Sequence, residues 1–390
     1  MRDEFLSFSR PLVGDEEVQE VIAALQSGWL TTGPRTRAFE QQFAEFTGAP
    51  AALGLNSCTA GLHLALKVHE IGPGDEVITT PLTFAASVNV IEHVGARPVL
   101  VDVEPDTLNI DPDQVREAIT DRTRAIIAVH FAGHPVELDQ LRSIASENGI
   151  FLIEDAAHAV GAEFRGQPIG RGSNLAAFSF YATKNLTTGE GGMLTGDADL
   201  LDSARVLSLH GMSREAWTRY AAGGKWAYDI VAPGFKYNMT DIQAALGIQQ
   251  LNRFQAMQQR RAEIFSQYSD AFGAFDEFEL PVIRPHVTHA WHLYILRLRD
   301  SSLSITRDQF IEELTRRKIG TSVHFIPIHN HSYYREKYGY CDDDFPVAQQ
   351  AYERMLSLPL SASMSDTDIQ DVIEAVLEIR AEFIRHRTAA

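Results

Sequence analysis

Two side chains capable of covalent and acid–base chemistry follow two apolar segments of the sequence. Asp155 comes directly after a mainly apolar strand predicted over 150–154 and before a helical pattern, and Lys184 follows a mainly apolar strand predicted over 176–180. A buried carboxylate is costly without a positive partner, and a lysine beside an apolar strand releases its proton readily, as a Schiff-base nucleophile requires. Taken singly, Asp155 is equally well explained as a helix N-cap, and Lys184 as a solvated loop residue.

A candidate anion site lies upstream, where Ser57, Cys58 and Thr59 connect a strand predicted over 51–55 to a helix predicted over 61–69. Free N–H groups at a helix N-terminus bind phosphate, and the two hydroxyls add donors. The sequence contains neither a Walker A motif nor a GxGxxG motif after a strand. This turn therefore indicates a phosphate site of another kind.

These groups together match one cofactor. An aspartate suits a protonated pyridine nitrogen, a lysine suits an aldehyde, and a helix N-terminus suits a phosphate, so the three predict pyridoxal 5′-phosphate (PLP). His158 falls on the same side of its helical turn as Asp155, and Ser179 flanks Lys184 with a hydroxyl. Phe84 could cover a flat cofactor, although core packing is the simpler explanation of an isolated phenylalanine.

Alternating strands and helices must position these side chains. Strands are predicted over 51–55, 76–80, 98–103, 125–131, 150–154, 176–180 and 193–195, with helices over 61–69, 85–93, 111–119 and 136–148. Such alternation predicts an α/β fold, with a mainly parallel sheet between two layers of helices. In these sheets the ligand lies beyond the carboxyl ends of the strands, where Asp155 and Lys184 stand.

A second, smaller α+β domain is predicted for the C-terminal part of the chain. A long helix over 240–272 leads to a strand over 292–299, a helix over 307–318, a strand over 321–325 and a helix from 366 onward. We therefore expect a cofactor-binding large domain over 1–250, including an N-terminal arm, and a small domain over 251–390.

Composition narrows the class of protein. The 390 residues contain 34 Lys and Arg against 52 Asp and Glu, a formal net charge of −18, which disfavours nucleic acid and anionic membranes as partners. The two cysteines, Cys58 and Cys341, are too few for a disulfide framework or a four-thiolate zinc site, and the spacing of His329 and His331 matches no zinc pattern. With no signal-peptide pattern and no long apolar run, we expect a cytoplasmic protein without a metal.

Several motifs in one order resemble a known family. The sequence is similar to the DegT/StrS-type sugar-nucleotide aminotransferases, PLP enzymes of fold type I, from about residue 10 to about residue 380. It is most similar to the branch that aminates C4 of UDP-4-keto sugars, as in the 4-amino-4-deoxy-L-arabinose pathway. The segments that carry the resemblance are 28–34, 56–59, 74–77, 154–158, 179–185, 189–192, 234–243, 289–293 and 320–325.

The resemblance implies roles for individual residues. Lys184 would form the Schiff base and carry the proton, Asp155 would hold the pyridine nitrogen protonated, and His158 would bind at the phenolic oxygen. The cofactor residues implied on the phosphate side, on the ring face and across the dimer are Ser57, Cys58, Thr59, Ser179, Phe84 and Asn238. The implied substrate residues are Thr32, Gly33, Tyr181, His324 and His329.

A homodimer with shared active sites is also implied, because in the family a residue of the segment 234–238 reaches the partner's cofactor phosphate. Many members read Gly-x-Asn-Tyr-Arg there, whereas this chain has Lys236 and Asn238 in exchanged places. Either residue could make the contact.

A basic loop with Arg214, Arg219 and Lys225 could bind anionic substrate groups, or could be a solvated loop.

The implied reaction is amino transfer in two half-reactions, from glutamate to the cofactor and then to the C4 ketone of a nucleotide-linked sugar. Relatives that dehydrate their substrates carry histidine where this chain has Lys184, so the lysine favours transfer. Two alternatives stay open. One is amination of a 3-keto sugar or a keto-cyclitol, and the other is a non-catalytic regulatory protein on a PLP-enzyme fold.

Overall fold

The computed structural model describes residues 2–213, 228–299 and 302–384. The α-helices in these ranges are α1 (Asp15–Ser27), α2 (Pro34–Thr47), α3 (Cys58–Val68), α4 (Ala85–His93), α5 (Pro112–Ala118), α6 (Leu138–Asn148), α7 (Ala198–Ser208), α8 (Asp241–Asn252), α9 (Phe254–Phe272), α10 (Arg307–Arg316), α11 (Ser332–Tyr338), α12 (Pro346–Arg354) and α13 (Asp366–Phe383). The strands are β1 (Ala51–Leu55), β2 (Glu76–Thr79), β3 (Arg97–Leu100), β4 (Thr123–Val129), β5 (Phe151–Asp155), β6 (Glu163–Phe164), β7 (Gln167–Pro168), β8 (Leu175–Ser179), β9 (Gly192–Gly196), β10 (Phe278–Glu279), β11 (Val287–Thr288), β12 (Tyr294–Leu298) and β13 (Met355–Leu358).

Within the described residues, a seven-stranded sheet has the order β1-β9-β8-β5-β4-β2-β3. The pairs β8–β5, β5–β4, β4–β2 and β2–β3 are parallel, whereas β9 runs antiparallel to both of its neighbours. In this register Asp155 lies between Val129 and Ala177. The predicted α/β fold with a mainly parallel sheet is confirmed, and the carboxyl ends of β4, β5 and β8 lie side by side.

The central strands are continuous apolar runs because helices cover both faces of the sheet. All five residues of β8 are buried, as are four of the five in β5. Helix α3 begins immediately after β1 because Ser57 is its N-cap, with the side-chain oxygen accepting a hydrogen bond from the backbone N–H of Ala60 at 3.1 Å. This cap places the N-terminus of α3 at the same sheet edge as Asp155.

Two predicted elements differ from the structure. The helix predicted over 240–272 is divided at Arg253 into α8 and α9, and Arg253 forms an ion pair there with buried Glu17 at 2.8 Å. The strand predicted over 321–325 is wrong. Ser322 in that segment forms only an isolated bridge to Ser357, and the strand of the small sheet is β13.

A second core surrounds the three-stranded sheet β10-β12-β13 and is built with α9, α10 and α13. The N-terminal residues also join this part of the molecule, because Leu6 pairs with Ile319. The domain division near residue 250 stays a prediction. In the ranges that the structure describes, no helix combines the length and apolarity needed to cross a bilayer.

Candidate active site

The carboxyl ends of β1, β2, β4, β5 and β8 open into one cavity of about 480 Å³. The structure brings together at this cavity most of the residues that the sequence singled out. They are Ser57, Cys58, Thr59, Phe84, Asp155, His158, Ser179, Tyr181, Lys184 and His324.

Asp155 is the buried anion of the cavity. One carboxylate oxygen, Oδ1, accepts a hydrogen bond from the backbone N–H of Ala157 at 3.1 Å, and Oδ2 accepts one from the Ser87 hydroxyl at 2.7 Å. Burial raises the pKa of Asp155, while these two hydrogen bonds and the positive charge of Lys184 oppose that rise. The bond to Ala157 is a local cap-like contact, so the N-cap interpretation and a role in the cavity hold together.

Lys184 follows β8 in a tight turn, in which its backbone N–H donates to the carbonyl of Tyr181 at 2.9 Å. The side chain is half-buried and lines the cavity. Burial lowers the pKa of Lys184 to about 8, although the nearby groups of Cys58 and Asp155 raise it. An amine with such a pKa is partly unprotonated near neutral pH, which suits it for covalent attachment to a carbonyl group.

The turn at the start of α3 is held close to the sheet by Gly192. A Cβ atom on Gly192 would lie 2.4 Å from the carbonyl carbon of Ser57 and 2.5 Å from the backbone nitrogen of Cys58. Since the first N–H groups of a helix have no intrahelical partners, this turn presents donors to the cavity. Ser179, at the end of β8, adds a hydroxyl on the neighbouring strand.

His158 carries an unsatisfied buried atom, because its Nδ1 has no hydrogen-bond partner among the described residues. Burial and the charge of Lys184 hold the pKa of His158 well below its usual value, so the ring is neutral. Its ring lies 4.3 Å from that of His292, whose Nδ1 lies 2.8 Å from the Asn185 side-chain oxygen. A buried unpartnered nitrogen at a cavity wall indicates a missing polar partner there.

Aromatic rings line part of the cavity. Phe84 is 63% exposed, so the core-packing explanation of this residue is wrong. Its ring lies 6.0 Å from that of Phe325, and His324 lies 5.3 Å from Phe8. The sequence interpretation missed Phe8 and Phe325, and also Ser87 and His292.

Thr32, Gly33 and Asn238 form a second cluster outside the lining of this cavity. The Asn238 amide nitrogen donates to the Thr32 hydroxyl at 2.8 Å, and the Lys236 amine donates to the Asn238 side-chain oxygen at 2.6 Å. The Gly33 backbone N–H donates to buried Asp241 at 2.7 Å. The two exchanged residues of the segment 234–238 are therefore hydrogen-bonded to each other.

His329 does not lie at the cavity, contrary to the prediction that it faces the substrate. It is completely buried, its Nε2 lies 3.3 Å from the Gln349 side-chain oxygen, and it packs on Phe345. The predicted basic residues Arg214, Arg219 and Lys225 lie outside the described residues. Within the described ranges, no cluster of three His, Cys, Asp or Glu side chains could hold a metal ion.

The chemistry of the cavity fits PLP. A buried carboxylate, an amine of lowered pKa and a helix N-terminus meet in one space, and His158, whose Nδ1 has no partner among the described residues, lines the same space. Asp155 would hold the ring nitrogen, the turn of Ser57 and Thr59 would hold the phosphate, and Lys184 would provide the attachment point.

Comparisons with known proteins give a consistent match over nearly the whole chain. The model of the DegT/DnrJ/EryC1/StrS aminotransferase family matches residues 11–377. The spore coat polysaccharide biosynthesis protein SpsC of Bacillus subtilis is 52% identical over 380 residues, which cover 97% of this chain and 98% of SpsC.

Solved structures match as well. Spr1654 from Streptococcus pneumoniae, a candidate sugar aminotransferase solved in its PMP form, has a TM-score of 0.91 and 36% identity, covering 97% of this chain and 99% of its own. It was also solved in a PLP form. PseC from Helicobacter pylori, an aminotransferase of pseudoaminic acid biosynthesis, has a TM-score of 0.90 and 28% identity, covering 98% of this chain and 100% of its own.

Proposed function

Because the chain belongs to the DegT/DnrJ/EryC1/StrS aminotransferase family, we propose that it transfers the amino group of glutamate to the C4 ketone of a UDP-linked sugar. The protein is a PLP-dependent sugar aminotransferase. The observation that carries the proposal is that Lys184 and Asp155 line one cavity. The choice of C4 and of UDP rests on the resemblance of the sequence to the branch of the family that aminates UDP-4-keto sugars.

Asp155 and the helix turn bind and orient the cofactor in this proposal. When bound, PLP supplies an electron sink for the electron pair left behind when a proton leaves the carbon that bears the nitrogen. The Asp155 carboxylate keeps the ring nitrogen protonated. Because Asp155 is buried, water does not screen the attraction between the carboxylate and the protonated nitrogen. Ser57, Thr59 and Ser179 bind the phosphate through hydroxyl and backbone N–H donors.

Lys184 moves the proton. Its amine, with a pKa of about 8, is close to the operating pH and so suits a general base that later returns the proton as an acid. Neutral His158 offers the unpartnered Nδ1 to a polar group on the cofactor ring. Phe84 and Phe325 provide apolar rings, 6.0 Å apart, at the cavity that holds the reacting groups.

The active site is proposed to be completed by a second copy of the chain. Asn238 and Lys236 lie outside the cavity of their own protomer, and two aromatic side chains near its mouth, Phe84 and Tyr181, are exposed. A partner would cover these rings and bring one of the two polar residues to the cofactor phosphate.

Subunit complementation tests this arrangement and decides between the two residues. Lys184→Ala is mixed with Asn238→Ala, and separately with Lys236→Met, after dissociation and reassembly. A variant of the required residue is inactive alone, whereas a variant of the other residue stays active. Random reassembly of the inactive variant with Lys184→Ala makes half of the dimers mixed, each with one intact site of two, so this pair recovers about a quarter of the activity of the unmodified enzyme. No recovery with either partner would contradict a shared site.

The substrate proposal is tested with [¹⁵N]glutamate and a panel of keto nucleotide sugars, with UDP, dTDP or GDP and the ketone at C3 or C4. We expect ¹⁵N at C4 of the UDP-linked product, located by the nitrogen–carbon coupling in its NMR spectrum. Label at C3 would identify a 3-keto sugar as the substrate, and transfer only to a keto-cyclitol would identify that class; either result would contradict the proposed C4 substrate. Absence of transfer to every acceptor in the PLP-loaded enzyme would favour a regulatory protein.

A further inference from the structure

Two buried hydroxyl groups connect α4 to the carboxylate of Asp155. Ser87 lies in the first turn of α4 and Thr83 lies just before that helix, and both are at most 2% exposed. The Ser87 Oγ lies 2.7 Å from Oδ2 of Asp155, and the Thr83 Oγ1 lies 2.8 Å from the Ser87 Oγ. The three side chains thus form a continuous chain of hydrogen bonds.

The number of protons on these three groups determines which group donates and which accepts in each hydrogen bond. An ionised carboxylate only accepts hydrogen bonds, and a serine hydroxyl has a single proton to donate. Ser87 must therefore give its proton to Asp155. The Thr83 hydroxyl must then donate to the Ser87 oxygen, which strengthens the Ser87 donor by polarising it.

The orientation of Ser87 distinguishes it from an ordinary helical serine. A serine inside a helix commonly donates to the carbonyl four residues back, as Ser203 in α7 does to Asp199 at 3.1 Å, but Ser87 is in the first turn of α4 and has no such carbonyl in its own helix. Ser87 instead donates to a side chain on β5. Helix α4 thus supplies the donor on one carboxylate oxygen of Asp155, while the backbone N–H of Ala157 supplies the donor on the other.

We propose that Ser87, supported by Thr83, is a positioning residue for cofactor binding, which keeps Asp155 ionised and oriented toward the ring nitrogen of PLP. This inference rests on the proposed role of Asp155. Hydrogen bonds to a charged group are stronger than neutral ones, so the contribution of Ser87 should be measurable as affinity.

The test measures the dissociation constant of PLP from the apoprotein by equilibrium dialysis. Ser87→Ala should weaken binding by about 10- to 100-fold, as expected for loss of a hydrogen bond to a charged group. Thr83→Val, which removes only the supporting hydroxyl, should weaken it by a smaller factor. Ser87→Thr keeps a hydroxyl and should restore most of the affinity, while Ser203→Ala is the matched control and should leave it unchanged.

A double-mutant cycle with Asp155→Asn separates this inference from the proposed site. If Ser87 acts through the charge of Asp155, Ser87→Ala should weaken binding far less in the Asp155→Asn background. Unchanged affinity in Ser87→Ala would overturn the role of Ser87 while leaving that of Asp155 standing. Unchanged affinity in Asp155→Asn would overturn both. Equal losses in the two backgrounds, with a lowered melting temperature of the apoprotein, would show a merely structural serine and overturn the inference.

Discussion

The amine of Lys184 should lose its proton about 2.5 pH units below an ordinary lysine, because burial lowers its pKa from 10.5 to about 8. At pH 7 a pKa of about 8 leaves about one amine in ten unprotonated, against about one in 3,000 for an ordinary lysine. The apoprotein should therefore capture PLP about 300 times faster at neutral pH than a lysine of ordinary pKa in the same place.

Stopped-flow absorbance of the attached cofactor measures this rate as a function of pH. We expect the rate to rise with pH and to level off above pH 8, with its midpoint near that value. Asp155→Asn provides a second check, because the negative charge of Asp155 raises the pKa of Lys184. Removing that charge should move the midpoint to lower pH.

Two outcomes would refute this reasoning. A rate that still rises steeply at pH 10 would mean that the Lys184 amine is solvated in the apoprotein. A midpoint that moves to higher pH in Asp155→Asn would mean that the two groups do not interact as their shared cavity requires. The overall rate in each variant should be normalised to its value on the plateau, so that changes in cofactor affinity do not imitate a change in pKa.

Two substitutions test the elements that support the site. Gly192→Ala puts a Cβ atom 2.5 Å from the Cys58 backbone nitrogen, so it should weaken PLP binding and lower the free energy of unfolding by about 1–3 kcal/mol. Gly72→Ala is the control, because a Cβ atom has space there, and it should change the free energy of unfolding by about 0.5 kcal/mol or less. Asp241→Ala removes the buried acceptor of the Gly33 backbone N–H and should cost about 2–4 kcal/mol. Urea unfolding of the apoproteins measures both, and a cost in Gly192→Ala no larger than in Gly72→Ala, or none in Asp241→Ala, would contradict the packing described.

The strands that carry the site follow from the sequence because their signal is local. The run of four apolar residues at 150–153, followed by Glu154, predicts β5 within one position, and the parallel arrangement then brings Asp155 and Lys184 to the same edge. The helix predicted over 240–272 misses the break at Arg253, whose side chain pairs with Glu17, more than 200 residues away in the chain.

Other parts of the site depend on packing between distant segments, which periodicity does not encode. The Ser87 hydroxyl reaches Asp155 because α4 packs with this side chain toward β5. The residues next to Ser87 in the sequence do not predict that orientation. His292 lies more than 100 residues from His158 in the chain, so its position against that ring does not follow from any local pattern. The His329 ring packs on Phe345, and the spacing of histidines along the sequence does not indicate which way this ring points.

The most direct test of the account is to find which lysine carries the cofactor. The PLP-loaded protein is reduced with borohydride, digested and analysed by peptide mass spectrometry. We expect the reduced cofactor on the peptide that contains Lys184, and its loss when the loaded protein is first incubated with glutamate. Stoichiometric label on any other lysine, or label on Lys184 that glutamate never removes, would contradict it.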